Sequence, residues 1–325
     1  MNIVIVGGNS FDTLEFHLKD ELLHQGHKVK IIDLKPSFIL KKLNNLLDLV
    51  SSNYVNKINK IVFNKILEIN PDLVIVTYRH LHPETVRKIK LKKIKIIHIN
   101  PDAITTFKNQ QIFVEKYDAY FTKCEYIKRF MVNKLNLNTF IFNEAFNPRY
   151  HLVYDDEFLK MENQTKIDVL AYGNMYPYRN RILANLISSG LDVKLFGYKA
   201  KYFPNNIEDN FIKPIYGLEK SKLLFGSKIV FNNFHYAEIE SVNNKFFEIY
   251  GSRSFQICDY KPILNKLLPI DPKIISFKNL DEAISKTRYF LNEPEHRYQI
   301  RRQLGDYFLD NFTYKHTIDK IFSKV

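Results

Sequence analysis

The sequence predicts an α/β fold of two Rossmann-like domains in tandem, each with a parallel sheet, followed by a C-terminal helical tail. Three observations predict it. Short β-branched runs alternate with helix-period segments along most of the chain, which is the pattern of βαβ units. The alternation is interrupted by a polar, aperiodic stretch from Asp155 to Lys166, which reads as a linker. The length, 325 residues, suits two domains of ordinary size. The expected division is 1–160, 161–300 and a tail, 301–325, packing back across both domains.

Asn2 to Val6 is the first buried strand, followed by the turn Gly7-Gly8-Asn9-Ser10. Phe11 to His24 carries apolar residues at helical spacing, and Gly26 ends that helix. Lys28 to Leu34 is the next strand, completing a βαβ unit. Residues 38–69 read as helical, with a stripe of Leu40, Leu43, Leu46, Leu47 and Val50. Strands follow at Asp72–Thr77, Lys95–Ile99, Ala119–Lys123 and Thr139–Phe142, with helices at His82–Lys92 and Tyr126–Lys134. The second domain opens with a strand at Asp168–Tyr172, a helix at Arg179–Ser188 and a strand at Asp192–Phe196. Further strands are expected at Lys228–Asn232, Ser254–Cys258 and Lys273–Phe277. Leu280–Asn292 is a helix, and Glu295–Val325 holds one or two more.

The chain is 45% hydrophobic and 26% charged, enough to bury a large core. Its net charge of +13 suits phosphorylated substrates, an anionic membrane surface or nucleic acid. Cys124 and Cys258 are far apart in sequence and give neither a disulfide framework nor zinc spacing. No targeting segment or membrane-spanning run is read, so the expected location is cytoplasmic, with peripheral contact at the inner membrane face left open. Arg87 to Lys95 carries six cations among apolar residues. A solvated helix face followed by a strand is the plain reading, ahead of a membrane or nucleic-acid patch. The phosphate loop of P-loop ATPases, the nucleophile elbow, zinc spacings and the D-x-D motif are all absent.

The richest stretch is Lys228 to Tyr260. It places Glu240 in a loop and Glu248 in the first turns of a helix. Between them Ser241, Val242, Asn243 and Asn244 lead into the helix start, where free amides and the dipole favour a phosphate. Phe246 and Phe247 precede Glu248, and a carboxylate among aromatics needs a partner; Lys245 could be that partner or could reach a diphosphate. The plain alternative is a pair of solvated acids. After the first strand of the second domain, Gly173, Asn174 and Arg179 form a glycine turn with an arginine at a helix start, suited to clamping a diphosphate. In the first domain Gly8 and Asn9 lie at a βα turn, where a plain tight turn is the alternative. His98, Asn100 and Asp102 are read at a strand end, His98 as a candidate base and the others as lining an acceptor cleft. A ligand in such a protein is expected between the domains, at the carboxyl ends of the strands.

These residues resemble the CgeB-like, spore-maturation type of glycosyltransferase, within the two-domain GT-B class. The matching segments are DVLAYGNMYPYRNRIL (168–183), DVKLFGY (192–198), SKIVFNNF (227–234), NNKFFEIYGSRSFQICDY (243–260) and RRQLGDYFLDNFTYKHTIDKIF (301–322), with a looser match through YDAYFTKCEYIKRFM and the turn after FNEAF. The resemblance implies a GT-B fold of two facing Rossmann-like domains, with the acceptor on the first and the nucleotide sugar on the second. It implies that Glu240 lies near the donor sugar and diphosphate and that Glu248 binds the ribose. Lys245 and Arg179 match basic positions of the family, and Tyr198 falls among the donor-binding positions. Arg253 stands where the family usually has glycine, which either crowds the phosphate or supplies a new cation.

The expected activity is transfer of a sugar from a nucleotide-diphosphate donor to a glycan, lipid-linked or protein acceptor, as in polysaccharide biosynthesis. Retention follows from the resemblance. No cofactor and no metal are expected, because Lys245, Arg179 and the helix amides can stabilise the leaving diphosphate. Glu248→Ala is expected to weaken nucleotide binding with the fold intact. Two rivals stand: a DNA-base glucosyltransferase, with salt-dependent DNA binding, and a non-catalytic protein that binds a sugar nucleotide or glycan on the same fold.

Overall fold

The computed structural model describes residues 1–34, 51–78, 81–102, 111–152 and 157–325. The chain divides into two compact units: Met1–Asn143 with Tyr314–Val325, and Glu144–Thr313.

The first unit is built on β1 (Asn2–Val6), α1 (Leu14–His24), β2 (Lys28–Ile32), α2 (Ser52–Ile69), β3 (Leu73–Thr77), α3 (Pro83–Leu91), β4 (Lys95–Asn100), β5 (Ala119–Thr122), α4 (Glu125–Leu135) and β6 (Thr139–Ile141). Its six strands are all parallel, in the order β2-β1-β3-β4-β5-β6. β1, β3 and β4 are β-branched runs whose side chains are buried on both faces, as a helix-covered parallel sheet requires. The helix expected over residues 38–69 is described only from Ser52, and its Leu40 to Val50 stripe lies outside the described residues. α1 begins at Leu14, not Phe11, because the backbone turns left-handed at Asp12, φ 62°.

The second unit holds α5 (Pro148–His151), α6 (Phe158–Thr165), β7 (Ile167–Met175), α7 (Pro177–Ser188), β8 (Val193–Lys199), α8 (Gly217–Gly226), β9 (Ser227–Asn232), α9 (Asn244–Gly251), β10 (Gln256–Asp259), α10 (Leu264–Leu267), β11 (Ser276–Phe277), α11 (Leu280–Asn292) and α12 (Pro294–Asn311). Its five parallel strands run in the order β11-β10-β9-β7-β8. The tail resolves into two helices, α12 and then α13 (Tyr314–Phe322), which belongs to the first unit and packs on α1.

The stretch read as a linker is largely helical. Residues 153–156 lie outside the described set, but α6 buries Phe158 and Glu162. Glu162 accepts from Arg297 Nη2 at 2.6 Å, Tyr298 Oη at 2.9 Å and Arg301 Nη1 at 2.9 Å, all on α12. That attachment holds α6 to the second unit, which begins at Glu144; the sequence reading put the division at 160. A lone buried acid in a short, otherwise polar helix gives no periodic signal, so the helix reads as polar linker.

β7 and β8 meet at a pair of glycines in register, Gly173 and Gly197. Gly197 has φ +145°, and a Cβ there lies 1.9 Å from the Gly173 carbonyl oxygen. No side chain fits this approach. Gly197→Ala is expected to destabilise the protein by more than about 1 kcal/mol, read as a lower denaturant midpoint with an unchanged slope.

Candidate active site

In an open parallel sheet, ligands bind outside the carboxyl ends of the strands where the strand order reverses. In the second unit that point lies between β7 and β9. The two strands stay paired only as far as Leu170 and Val230, while β7 continues along β8 to Met175. The end of β7 thus parts from β9 beyond Leu170, and two basic side chains enter the gap.

Arg179 comes from the first turn of α7, just after β7. Lys245 comes from the first turn of α9. Both donate to the same acceptor, the carbonyl oxygen of Tyr172: Arg179 Nη1 at 3.0 Å and Lys245 Nζ at 3.1 Å. Lys245 also lies over the Tyr172 ring, 5.5 Å from its centre. Gly173 makes this convergence possible. Its φ is +111°, and a Cβ there meets Arg179 Nη1 at 3.2 Å and Lys245 Nζ at 3.6 Å. Arg179 donates further from Nε to Asn233 Oδ1 at 2.8 Å, at the end of β9. Its Nη2 is buried and has no hydrogen-bond partner among the described residues. Burial lowers the pKa of Arg179, and burial followed by repulsion from Arg179 lowers that of Lys245 well below the ordinary lysine value. Two basic side chains thus share one neutral carbonyl, and one buried guanidinium nitrogen has no partner among the described residues, an arrangement with donors to spare for an anion.

Helix α9 is fixed by its own cap. Asn243 Oδ1 accepts from Phe246 N at 3.1 Å, while Asn243 and Asn232 exchange amide hydrogen bonds at 2.9 and 3.1 Å. Asn232 Nδ2 also donates to Gln256 Oε1 on β10. The start of α9 is therefore held against the end of β9, which is itself tied to the first residue of β10, and Asn243 is a cap.

Glu248 differs from the sequence expectation. It is 4% exposed and fully engaged. Oε2 accepts from Lys220 Nζ at 3.0 Å and Tyr172 Oη at 3.1 Å, and Oε1 accepts from Asn244 Nδ2 at 2.7 Å, with His151 Nε2 at 4.0 Å. Its ion-pair partner is Lys220 of α8, not Lys245. The expectation that Glu248→Ala leaves the fold intact is corrected accordingly: the substitution strands a buried Lys220. Because Asn244 must turn its amide nitrogen to the carboxylate, its buried Oδ1 is the atom left without a partner among the described residues.

Of the other predicted positions in the second unit, Glu240 is half-buried in the loop between β9 and α9. Ser241 is buried and its hydroxyl donates to Glu238. Val242 is part of the hydrophobic core, so its side chain does not face a ligand. Asn174 is exposed and donates to Tyr176 Oη at 3.2 Å. Tyr198 is exposed, with its hydroxyl against that of Tyr216. Arg253 neither crowds nor serves the anion site. It takes the left-handed conformation, φ 57°, one residue past the cap of α9, and Ser254 N returns to Ile249 O at 3.0 Å while Arg253 N returns to Tyr250 O at 2.8 Å. That double closure suits glycine. The Arg253 side chain lies on Gly305 of α12 and pairs with Asp306 at 2.7 Å.

In the first unit the order reverses between β1 and β3, and that gap is filled by the chain itself. Glu15 of α1 accepts from Gly8 N at 3.0 Å and from Thr77 Oγ1 at 2.9 Å. The Gly8 amide is thereby taken, and the close approach belongs to Gly7, whose Cβ would lie 2.3 Å from Thr77 Oγ1. Asn9 is exposed. His98 is corrected from candidate base to interior residue: it is 1% exposed in the middle of β4 and packs on Tyr117 and Tyr120. Asn100 and Asp102 form a local turn, Asn100 Nδ2 donating to Asp102 O at 2.7 Å. In the basic run, Arg87 pairs with Glu115, Lys88 with Glu84 at 2.7 Å and Lys90 with Asp118 at 3.3 Å, so much of its charge is locally balanced.

Sequence reading missed Tyr172, Lys220, Asn233 and Asp259. Asp259 ends β10 and accepts from Phe234 N; burial raises its pKa. All four lie at strand ends or on a helix whose partner is set only by tertiary packing. α8 itself escaped notice because its buried Lys220 breaks the apolar stripe.

Residues 179–323 match a family model described as glycosyl transferase-like. A search of curated proteins finds no match. Among solved structures, a glycosyltransferase from Rickettsia africae superposes with a TM-score of 0.67 at 14% identity, covering 99% of this chain and 97% of its own. HepE of Anabaena in complex with UDP-glucose gives 0.68 at 10% identity, covering both chains completely. A DNA-modifying β-glucosyltransferase gives 0.55 at 14% identity, covering 95% of this chain and 94% of its own. No helix among the described residues is long and apolar enough to cross a membrane. The two parallel sheets thus share the GT-B fold of these solved structures from end to end, and residues 179–323 are similar to the glycosyl transferase-like model.

Proposed function

We propose that the protein transfers a sugar from a nucleoside-diphosphate donor bound at the second unit to an acceptor held by the first, a glycan, lipid-linked sugar or protein. The observation that carries this reading is the convergence of Arg179 and Lys245 on the Tyr172 carbonyl at the switch point of the second sheet. A diphosphate is the group such a site fits: it brings negative charge to two desolvated cations and acceptors to their spare donors. The matching point of the first unit is filled by the Glu15 carboxylate, which repels a phosphate. Glu248 serves in this reading as the buried charge that balances Lys220 beneath the cluster and fixes Tyr172. The leaving diphosphate is stabilised by Arg179 and Lys245, without a metal, and the anomeric configuration is retained. The CgeB-like subtype is part of the same proposal.

The test is calorimetric titration with UDP, GDP, ADP and TDP. At least one is expected to bind, and the binding is expected to take up protons, because a bound diphosphate raises the depressed pKa of Lys245. The sign follows: affinity falls as pH rises through the free-enzyme pKa of Lys245, which lies below 10.5. Titration in buffers of different ionisation enthalpy reads the uptake directly. No binding by any of the four removes the donor site. Tight, salt-dependent binding to duplex DNA, with transfer to it, selects the base-modifying alternative instead.

A further inference from the structure

Asn233 lies outside every residue assigned so far to the donor, yet it is built into the same gap. It follows β9, is 2% exposed, and accepts from Arg179 Nε at 2.8 Å. A guanidinium N–H can only donate, so Asn233 must turn its oxygen to Arg179 and its amide nitrogen away. That nitrogen is buried and has no partner among the described residues, and the same is true of Arg179 Nη2. Nε and Nη2 share one edge of the guanidinium, and that edge is directed at Asn233. A satisfied acceptor contact therefore sits beside two adjacent unsatisfied donors. A buried donor left unpaired is costly, and two side by side repel each other. What relieves both at once is a single multivalent acceptor.

We infer that Asn233 is a direct donor-binding residue, its Nδ2 and Arg179 Nη2 together gripping phosphoryl oxygens of the diphosphate. The inference rests on the donor site proposed above and adds one ligand contact to it. The Arg179–Asn233 hydrogen bond makes the grip pre-formed, since neither side chain has to reorient when the anion arrives.

The decisive variant is Asn233→Asp. It keeps the shape but replaces the donor with a carboxylate oxygen, which can accept from both Nε and Nη2 of Arg179. The melting temperature of the ligand-free protein is expected to hold or rise, because the orphaned Nη2 gains a partner. Affinity for the nucleoside diphosphate that the wild type binds, and for inorganic pyrophosphate, is expected to fall at least tenfold, because a phosphate then meets a negative charge. Opposite movement of stability and affinity is what a packing role alone does not produce. Asn233→Ala checks the size of the contact, with affinity expected to fall about fivefold to thirtyfold. Affinity within threefold of wild type in the aspartate variant overturns the inference, as does a loss of affinity that only accompanies a lowered melting temperature. If the wild type binds neither a nucleoside diphosphate nor pyrophosphate, the donor site itself fails, and this contact with it.

Discussion

Glu162→Ala is expected to destabilise the protein by about 3–5 kcal/mol, the cost of leaving buried charge unpaired. Among the described residues, Glu162 is the carboxylate that pairs with two interior guanidiniums, Arg297 and Arg301, which are 1% and 0% exposed. Burial pulls the pKa of Arg301 down to about 9, which still leaves it charged at neutral pH. Other contacts of these arginines cannot replace the acid: Arg301 donates to Arg253 O and Phe225 O, and its guanidinium lies 4.2 Å from the Phe158 ring centre. Those neutral contacts satisfy donors without neutralising charge. The network ties α6, near the start of the second unit, to α12 at its end. Denaturant unfolding followed by circular dichroism checks the effect, with Lys160→Ala as the control. Lys160 pairs with Glu157 at the surface, where such pairs contribute about 0–1 kcal/mol. A Glu162 variant no less stable than this control sinks the account of the network.

The alternation of strands and helices was legible because it is a local signal. β1, β3 and β4 are runs of Ile and Val whose period does not depend on what lies across the fold. The pair of basic side chains at the end of β7 was legible in part for the same reason. Gly173 is a glycine near the end of a strand and Arg179 starts a helix against the dipole, so each carries an anomaly visible in isolation. The partners were not legible. Lys245 and Glu248 lie one helical turn apart on α9, and the sequence suggests that they pair. The fold instead supplies Lys220 to Glu248 and leaves Lys245 to the Tyr172 carbonyl. That exchange depends on where α8 lies against α9, a placement that sequence spacing does not encode. His98 failed for a related reason. A histidine near a strand end and one in mid-strand differ by two residues, within the ordinary uncertainty of element boundaries, and that difference decides between a reachable base and a core residue.

Arg179→Ala is expected to slow sugar transfer by about a hundredfold to a thousandfold, the effect of removing one charged donor from a developing anion. Single-turnover measurement with saturating donor is the appropriate readout, because it separates the chemical step from binding and product release. The magnitude rests on charge that appears on the diphosphate as the glycosidic bond breaks. Both cations lie within hydrogen-bond reach of one carbonyl, so each can turn to the leaving group without a backbone movement. Arg179→Lys is expected to recover part of the rate: it keeps the charge but loses the fork that holds Asn233 and Tyr172 together. Lys245→Ala is expected to cost a similar factor, and the double variant less than the product of the two, because the cations act on one group. There is also a compensating effect. Arg179 depresses Lys245, so removing Arg179 lets the pKa of Lys245 rise, and the loss of donor affinity with increasing pH shifts to higher pH in Arg179→Ala. A single-turnover rate for Arg179→Ala within threefold of wild type, in a variant shown to be folded, excludes Arg179 from the transfer step and leaves the anion site without its principal donor.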